Sequence, residues 1–153
     1  MKFEFIYDPV PLIIIRDMFT KKENAEIFAE AIKNKKDFQP STTMGQKKNF
    51  RTNLTADYDL IYNKDRTKSK LLTLIDETFK NIQFEEILNS FVFPIYLIGQ
   101  SNIHESQVSR YGNQGEAYKW HQDAFDTNNN RMITFVYYFN KEPKKYKGGE
   151  IQF

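Results

Sequence analysis

Residues 111–123 read YGNQGEAYKWHQD. The stretch opens on Tyr111, turns through two glycines and runs by way of Tyr118, Lys119 and Trp120 into His121-Gln122-Asp123. Its aromatic second half predicts a strand over residues 118–123. Side chains two apart on a strand share a face, so this reading sets the His121 imidazole beside the Asp123 carboxylate. One nitrogen and one oxygen donor on a rigid edge suit a borderline divalent metal ion.

Working outward, residues 93–99, 103–111, 131–140 and 150–153 also read as strands, separated by the polar loop 126–130 and by 141–149 with its Gly148-Gly149 pair. In RMITFVYYFN (residues 131–140), Ile133, Phe135, Tyr137 and Phe139 lie on one side. Met132, Thr134, Val136 and Tyr138 lie on the other, and both sides are apolar enough to predict cover on each. Upstream the pattern is helical. The short β-branched run at residues 12–15 predicts a buried strand. Thr20-Lys21-Lys22-Glu23 is a capping box opening a helix to about residue 34, with Ile27, Phe28, Ala31 and Ile32 as its apolar stripe. A second helix is expected over 65–80, lined by Leu71, Leu72, Ile75 and Phe79, and a shorter one over 85–90. Residues 37–64 read mostly as loop, with a strand near 50–54. Helices followed by strands make an α+β chain.

The composition supports one packed domain. Of 153 residues, 40% are hydrophobic and 16% aromatic, which is enough to fill a core and argues against disorder. Twenty-two basic and 20 acidic residues leave a net charge of +2, so no nucleic-acid partner is demanded. No cysteine means no disulfide and no thiolate metal site. The N-terminus does not read as a signal peptide, and the apolar run at 12–15 is far short of a membrane span. No membrane partner and a cytoplasmic location are therefore expected.

Three blocks carry a resemblance. The first is Gln107-Val108-Ser109-Arg110-Tyr111, a glycine-containing turn, Tyr118 and His121-Gln122-Asp123. The second is Arg131-Met132-Ile133-Thr134 with Val136-Tyr137-Tyr138-Phe139-Asn140, and the third is Gly148-Gly149-Glu150-Ile151-Gln152-Phe153. In this order and spacing they resemble the Fe(II)/2-oxoglutarate-dependent dioxygenase superfamily, in its prolyl 4-hydroxylase-like branch. The resemblance implies a partial double-stranded β-helix (jelly-roll or cupin-like), with the N-terminal helices packed on its major sheet. Residues 1–92 would be the supporting region and 93–153 the first part of the β-helix core. It implies Fe(II) held by His121 and Asp123, two members of a 2-His-1-carboxylate triad. It also implies 2-oxoglutarate as co-substrate, ascorbate as a candidate further cofactor, and hydroxylation of a peptidyl or small-molecule substrate. Tyr111 and Tyr138 match positions whose phenols contact the co-substrate. Thr134 joins that pocket by strand parity with Tyr138, and Tyr118 is placed near the substrate. Phenols suit such a pocket because they donate a hydrogen bond without a competing counter-charge.

The resemblance further implies a distal histidine and an Arg or Lys anchoring 2-oxoglutarate, both beyond the Gly-Gly-Glu block. The sequence reaches Phe153 without them, so it is expected to be a truncated form with little or no activity. His104 has the strand parity of Val108 and Arg110, opposite to Tyr111, and reads as a surface or satisfied histidine. Glu150, at a strand entry, reads as structural or solvent-facing. The rival readings are a β-helix binding module without metal, and an interaction protein in which His121 and Asp123 are a surface ion pair.

Overall fold

The computed structural model describes residues 1–8, 12–41, 51–81, 105–121, 123, 134–141 and 143–151. The expected helix at 85–90, the strand at 93–99, the loop at 126–130, and His104 and Arg131 lie outside them.

The chain begins with an antiparallel hairpin of β1 (Lys2–Ile6) and β2 (Leu12–Arg16), in register Lys2 with Arg16 through Ile6 with Leu12. The run at 12–15 was legible as a strand, but it is half-buried rather than buried as expected. Its partner β1 was not foreseen, although Lys2-Phe3-Glu4-Phe5 alternates charged and apolar side chains as a half-exposed strand does. Asp17, at φ 53°, turns the chain out of β2. Asp tolerates this left-handed conformation better than most residues.

The predicted capping box starts α1 (Lys21–Lys33). The Thr20 side chain accepts from the Glu23 backbone N–H, and the Glu23 carboxylate accepts from the Thr20 N–H at 2.8 Å. The helix buries Ile27, whereas Ile32 is 56% exposed. Five residues at 100° each separate these two side chains by about 140° around the helix. They could not share the single stripe expected of them, and Ile27 takes the core.

The second expected helix resolves into two pieces. A 3₁₀ turn, Arg66–Lys68, precedes α3 (Lys70–Phe79), with Ser69 capping α3 through its bond from the Leu72 N–H. Glu30 of α1 supports the same end. Its carboxylate accepts from the Ser69 hydroxyl at 2.6 Å and from the N–H groups of Lys70 and Leu71 at 2.7 and 3.1 Å. A negative charge at a helix N-terminus satisfies donors that have no partner within the helix. A one-turn helix, α2 (Tyr58–Ile61), is capped by Asp57 and was not foreseen.

A small antiparallel sheet holds the site. Its order is β3 (Gln39–Pro40), β4 (Leu54–Asp57), β5 (Gln107–Arg110), with Leu54 opposite Arg110 and Thr55 opposite Ser109. Val108 and Ala56, paired across the ladder, face the core with Ile27, Tyr58, Leu71, Leu72 and Leu74. The architecture is therefore mixed helix and sheet, with small antiparallel sheets.

Two expectations about strands are corrected. Tyr118 makes a single antiparallel bridge to Arg51, after which the chain bends at Trp120, so the described residues of 118–123 form no strand. Their β-propensity has no partner ladder to act on. Residues 134–140 keep the two-residue alternation but also lack a ladder among the described residues. Only one of their faces is covered. Phe135 meets Phe79 edge-on at 5.8 Å, Tyr137 meets Phe19 at 5.0 Å, and Phe139 packs on the core. Val136 and Tyr138, on the opposite face, are half exposed.

Candidate metal centre

The site is built around the turn that follows β5. Gly115, at φ 84°, supplies the left-handed residue the turn needs. Glu116 closes it, accepting from the Gly112 N–H and the Asn113 side-chain amide, both at 2.6 Å. Those donors, the Gly112 N–H first, hold the Glu116 carboxyl below its ordinary range. The returning chain is tied to the segment before β4: Thr52 N–H donates to the Ala117 carbonyl at 3.0 Å, and Ala117 N–H donates to the Thr52 hydroxyl at 2.9 Å. Tyr118 thereby lands opposite Arg51.

From there the chain brings His121 and Asp123 together. Nε2 of His121 lies 3.2 Å from Oδ1 of Asp123, with the side chains 25% and 33% exposed. They are sheltered yet reachable. The other ring nitrogen, Nδ1, is 2.7 Å from the Lys119 carbonyl oxygen. A carbonyl can only accept, so Nδ1 carries the proton. Nε2 is then left with its lone pair for a metal or, on a charged ring, a second N–H for Asp123. The remaining carboxylate oxygen, Oδ2, accepts from the Thr134 hydroxyl, which turns Oδ1 toward the imidazole. Bonds of about 2.1 Å at right angles to one ion put their donors about 3 Å apart. The observed separation matches that bite. A proton-fixing carbonyl behind the imidazole and a hydroxyl behind the carboxylate are the usual outer support of metal ligands. The donor pair therefore fits a divalent ion such as Fe(II). Among the described residues, no group of three His, Asp or Glu side chains converges as a ligand set.

The phenols gather nearby. Tyr111 and Tyr138 are each about half exposed. Partial burial of the hydroxyl raises both above the ordinary phenol value. Tyr138 is raised further by Tyr111, Glu150 and Tyr146, so these side chains share one electrostatic neighbourhood. Tyr118 stacks on the His121 ring, with centroids 3.6 Å apart and planes 15° from parallel. Thr134 contacts Asp123 through its hydroxyl.

Sequence reasoning missed Arg51. Its guanidinium lies over the Tyr118 ring at 4.5 Å and donates to the Ser109 hydroxyl and to Asn53 Oδ1, each at 3.0 Å. Nothing local marks it, since Ser109 and Tyr118 lie 58 and 67 positions away and only the β4–β5 pairing brings them near.

Comparison with known proteins agrees with the motif reading. The family described as the 2OG-Fe(II) oxygenase superfamily matches residues 106–153. An uncharacterized PKHD-type hydroxylase from Synechocystis sp. is 31% identical over 150 residues, covering 97% of this chain and 46% of that protein. The chain thus spans about half the length of this curated relative. No solved structure matches it. The motif order and these matches support the 2OG-Fe(II) oxygenase superfamily, prolyl-hydroxylase-like, as the family this chain resembles.

Proposed function

We propose that the chain supplies the metal- and co-substrate-binding part of a hydroxylase of the prolyl-hydroxylase type, built on a double-stranded β-helix. In this reading His121 and Asp123 hold Fe(II). The family implies Fe(II) and 2-oxoglutarate, which when bound would let dioxygen hydroxylate a C–H bond, with one oxygen atom going to the substrate and the other to succinate as 2-oxoglutarate loses carbon dioxide. The chain's own residues orient and shelter. Lys119 fixes the imidazole tautomer through its carbonyl, and Thr134 holds the carboxylate. Tyr111 and Tyr138, half-buried and raised above the ordinary phenol value, present phenolic donors to an anionic co-substrate. Tyr118 borders the space in which a peptidyl or small-molecule substrate would lie.

One observation carries the reading: the 3.2 Å approach of Nε2 to Oδ1, with each partner braced from behind. Titration of the 153-residue chain with Mn(II), with and without 2-oxoglutarate, tests it. Saturable binding is expected, tightened by 2-oxoglutarate and abolished by His121→Ala and by Asp123→Ala. Binding that survives both substitutions places the metal elsewhere. No binding at all favours a metal-free binding module. Two protein donors grip a divalent ion less firmly than three, so weak affinity and little turnover are expected of these 153 residues by themselves.

A further inference from the structure

The arrangement around Tyr118 goes beyond the ligands. The imidazole of His121 has one edge on the Lys119 carbonyl and one face on the Tyr118 ring. A single hydrogen bond leaves a ring free to swing about that bond, and a stacked neighbour removes the swing. Tyr118 can do this only if its own ring is held. Arg51 lies over that ring and is fixed at two points. One of these, Asn53, is only 1% exposed. Its Oδ1 also accepts from Ser41 Oγ at 3.1 Å, and its amide donates to the Leu54 carbonyl at 3.2 Å. The guanidinium is thus anchored in the interior at Nε and on the sheet surface at Nη2. Planarity and delocalisation suit it to stack on an aromatic face while keeping both bonds, which an ammonium group cannot reproduce.

We infer that Arg51 is a positioning residue: it clamps Tyr118, and through that ring it sets the plane of the His121 imidazole so that Nε2 faces Asp123 Oδ1. The inference rests on the proposed metal site only for its consequence, tighter metal binding. The orientation itself can be read without metal.

The test uses the full 153-residue chain. In the metal-free protein the His121 ring protons should resonate upfield, under the ring current of Tyr118. Tyr118→Phe should retain that shift and Tyr118→Leu should abolish it. Arg51→Met should move the resonances toward those of a free histidine. Ser109→Ala removes one anchor at an exposed position and should do the same to a smaller degree, which covers the case in which Arg51→Met fails to fold. In folded variants Mn(II) affinity should fall about tenfold for Arg51→Met, the scale of an outer-shell loss. The inference is overturned if the wild-type resonances show no upfield shift. It is equally overturned if Arg51→Met and Ser109→Ala leave both the shift and the Mn(II) affinity unchanged. If the shifts respond as expected but no variant binds Mn(II), the clamp stands and the metal assignment fails.

Discussion

Tyr58 carries its hydroxyl into the core, where no hydrogen-bond partner meets it among the described residues. Burial pushes the phenol up to about 12; the Asn34 amide lies near enough to pull it partly back, although its hydrogen bond goes to the Tyr62 hydroxyl at 2.8 Å. A folded-state value above the unfolded one means that the native protein holds this proton more tightly. The associated stability is complete below pH 10 and is lost as pH rises through about 12. Two units correspond to on the order of 2–3 kcal/mol. Chemical denaturation at pH 9 and pH 12 should show that loss together with smaller ones from Tyr62, Tyr111, Tyr137 and Tyr138, which are also raised, and Tyr58→Phe should make the difference smaller while changing stability at pH 7 by only about 1 kcal/mol. Thr134 offers a second test at this scale. Thr134→Val keeps the shape and deletes the hydroxyl that orients Asp123. Its Mn(II) affinity, read by calorimetry, should fall about tenfold with little change in melting temperature.

At the scale of elements, the joint between α1 and α3 rests on Glu30. Glu30→Ala leaves two backbone N–H groups and the Ser69 hydroxyl without that carboxylate. It should cost about 2–3 kcal/mol in urea unfolding, because bonds to charged acceptors are the stronger kind. At the start of α1, Thr20→Ala should cost about 1 kcal/mol. The Thr20 N–H, and then its hydroxyl, hold the Glu23 carboxyl below its ordinary range. That contribution is therefore present above about pH 4.5 and fades as pH falls. The capping box and the Leu71–Leu72 stripe were legible in the sequence because both are local patterns. Glu30 was not, because a glutamate forty residues from the helix it caps looks like any surface acid. The same limit governed the strands. Residues 118–123 and 134–140 have strand composition, but a ladder is a property of two segments, and composition describes one.

For the whole molecule, the described core gathers α1, α3 and the β4–β5 ladder around Leu72, which is fully buried. Leu72→Ala should cost about 3–5 kcal/mol, and because the transition is shared, melts followed by helix and by tryptophan signals should shift together. Separate shifts would mean that the helices and the site region unfold independently. The approach of His121 to Asp123 was legible from two positions of sequence, yet by a route the fold does not use. Strand parity predicted their meeting, whereas a bend at Trp120, the Lys119 carbonyl and the Thr134 hydroxyl bring it about. Their chemical types were what the sequence carried, and the supporting contacts come from segments brought close by folding.

Gly148 and Gly149 sit at φ 90° and 87°, two consecutive backbone positions on the side of conformational space that side chains avoid. Neither has a neighbour close enough to obstruct a methyl group, so space does not forbid replacement there. The backbone does, at about 1–2 kcal/mol for each residue made chiral. A saturation library screened for folded protein should therefore show two adjacent columns at which only the achiral residue is enriched, an imprint of main-chain handedness readable with no substrate in hand.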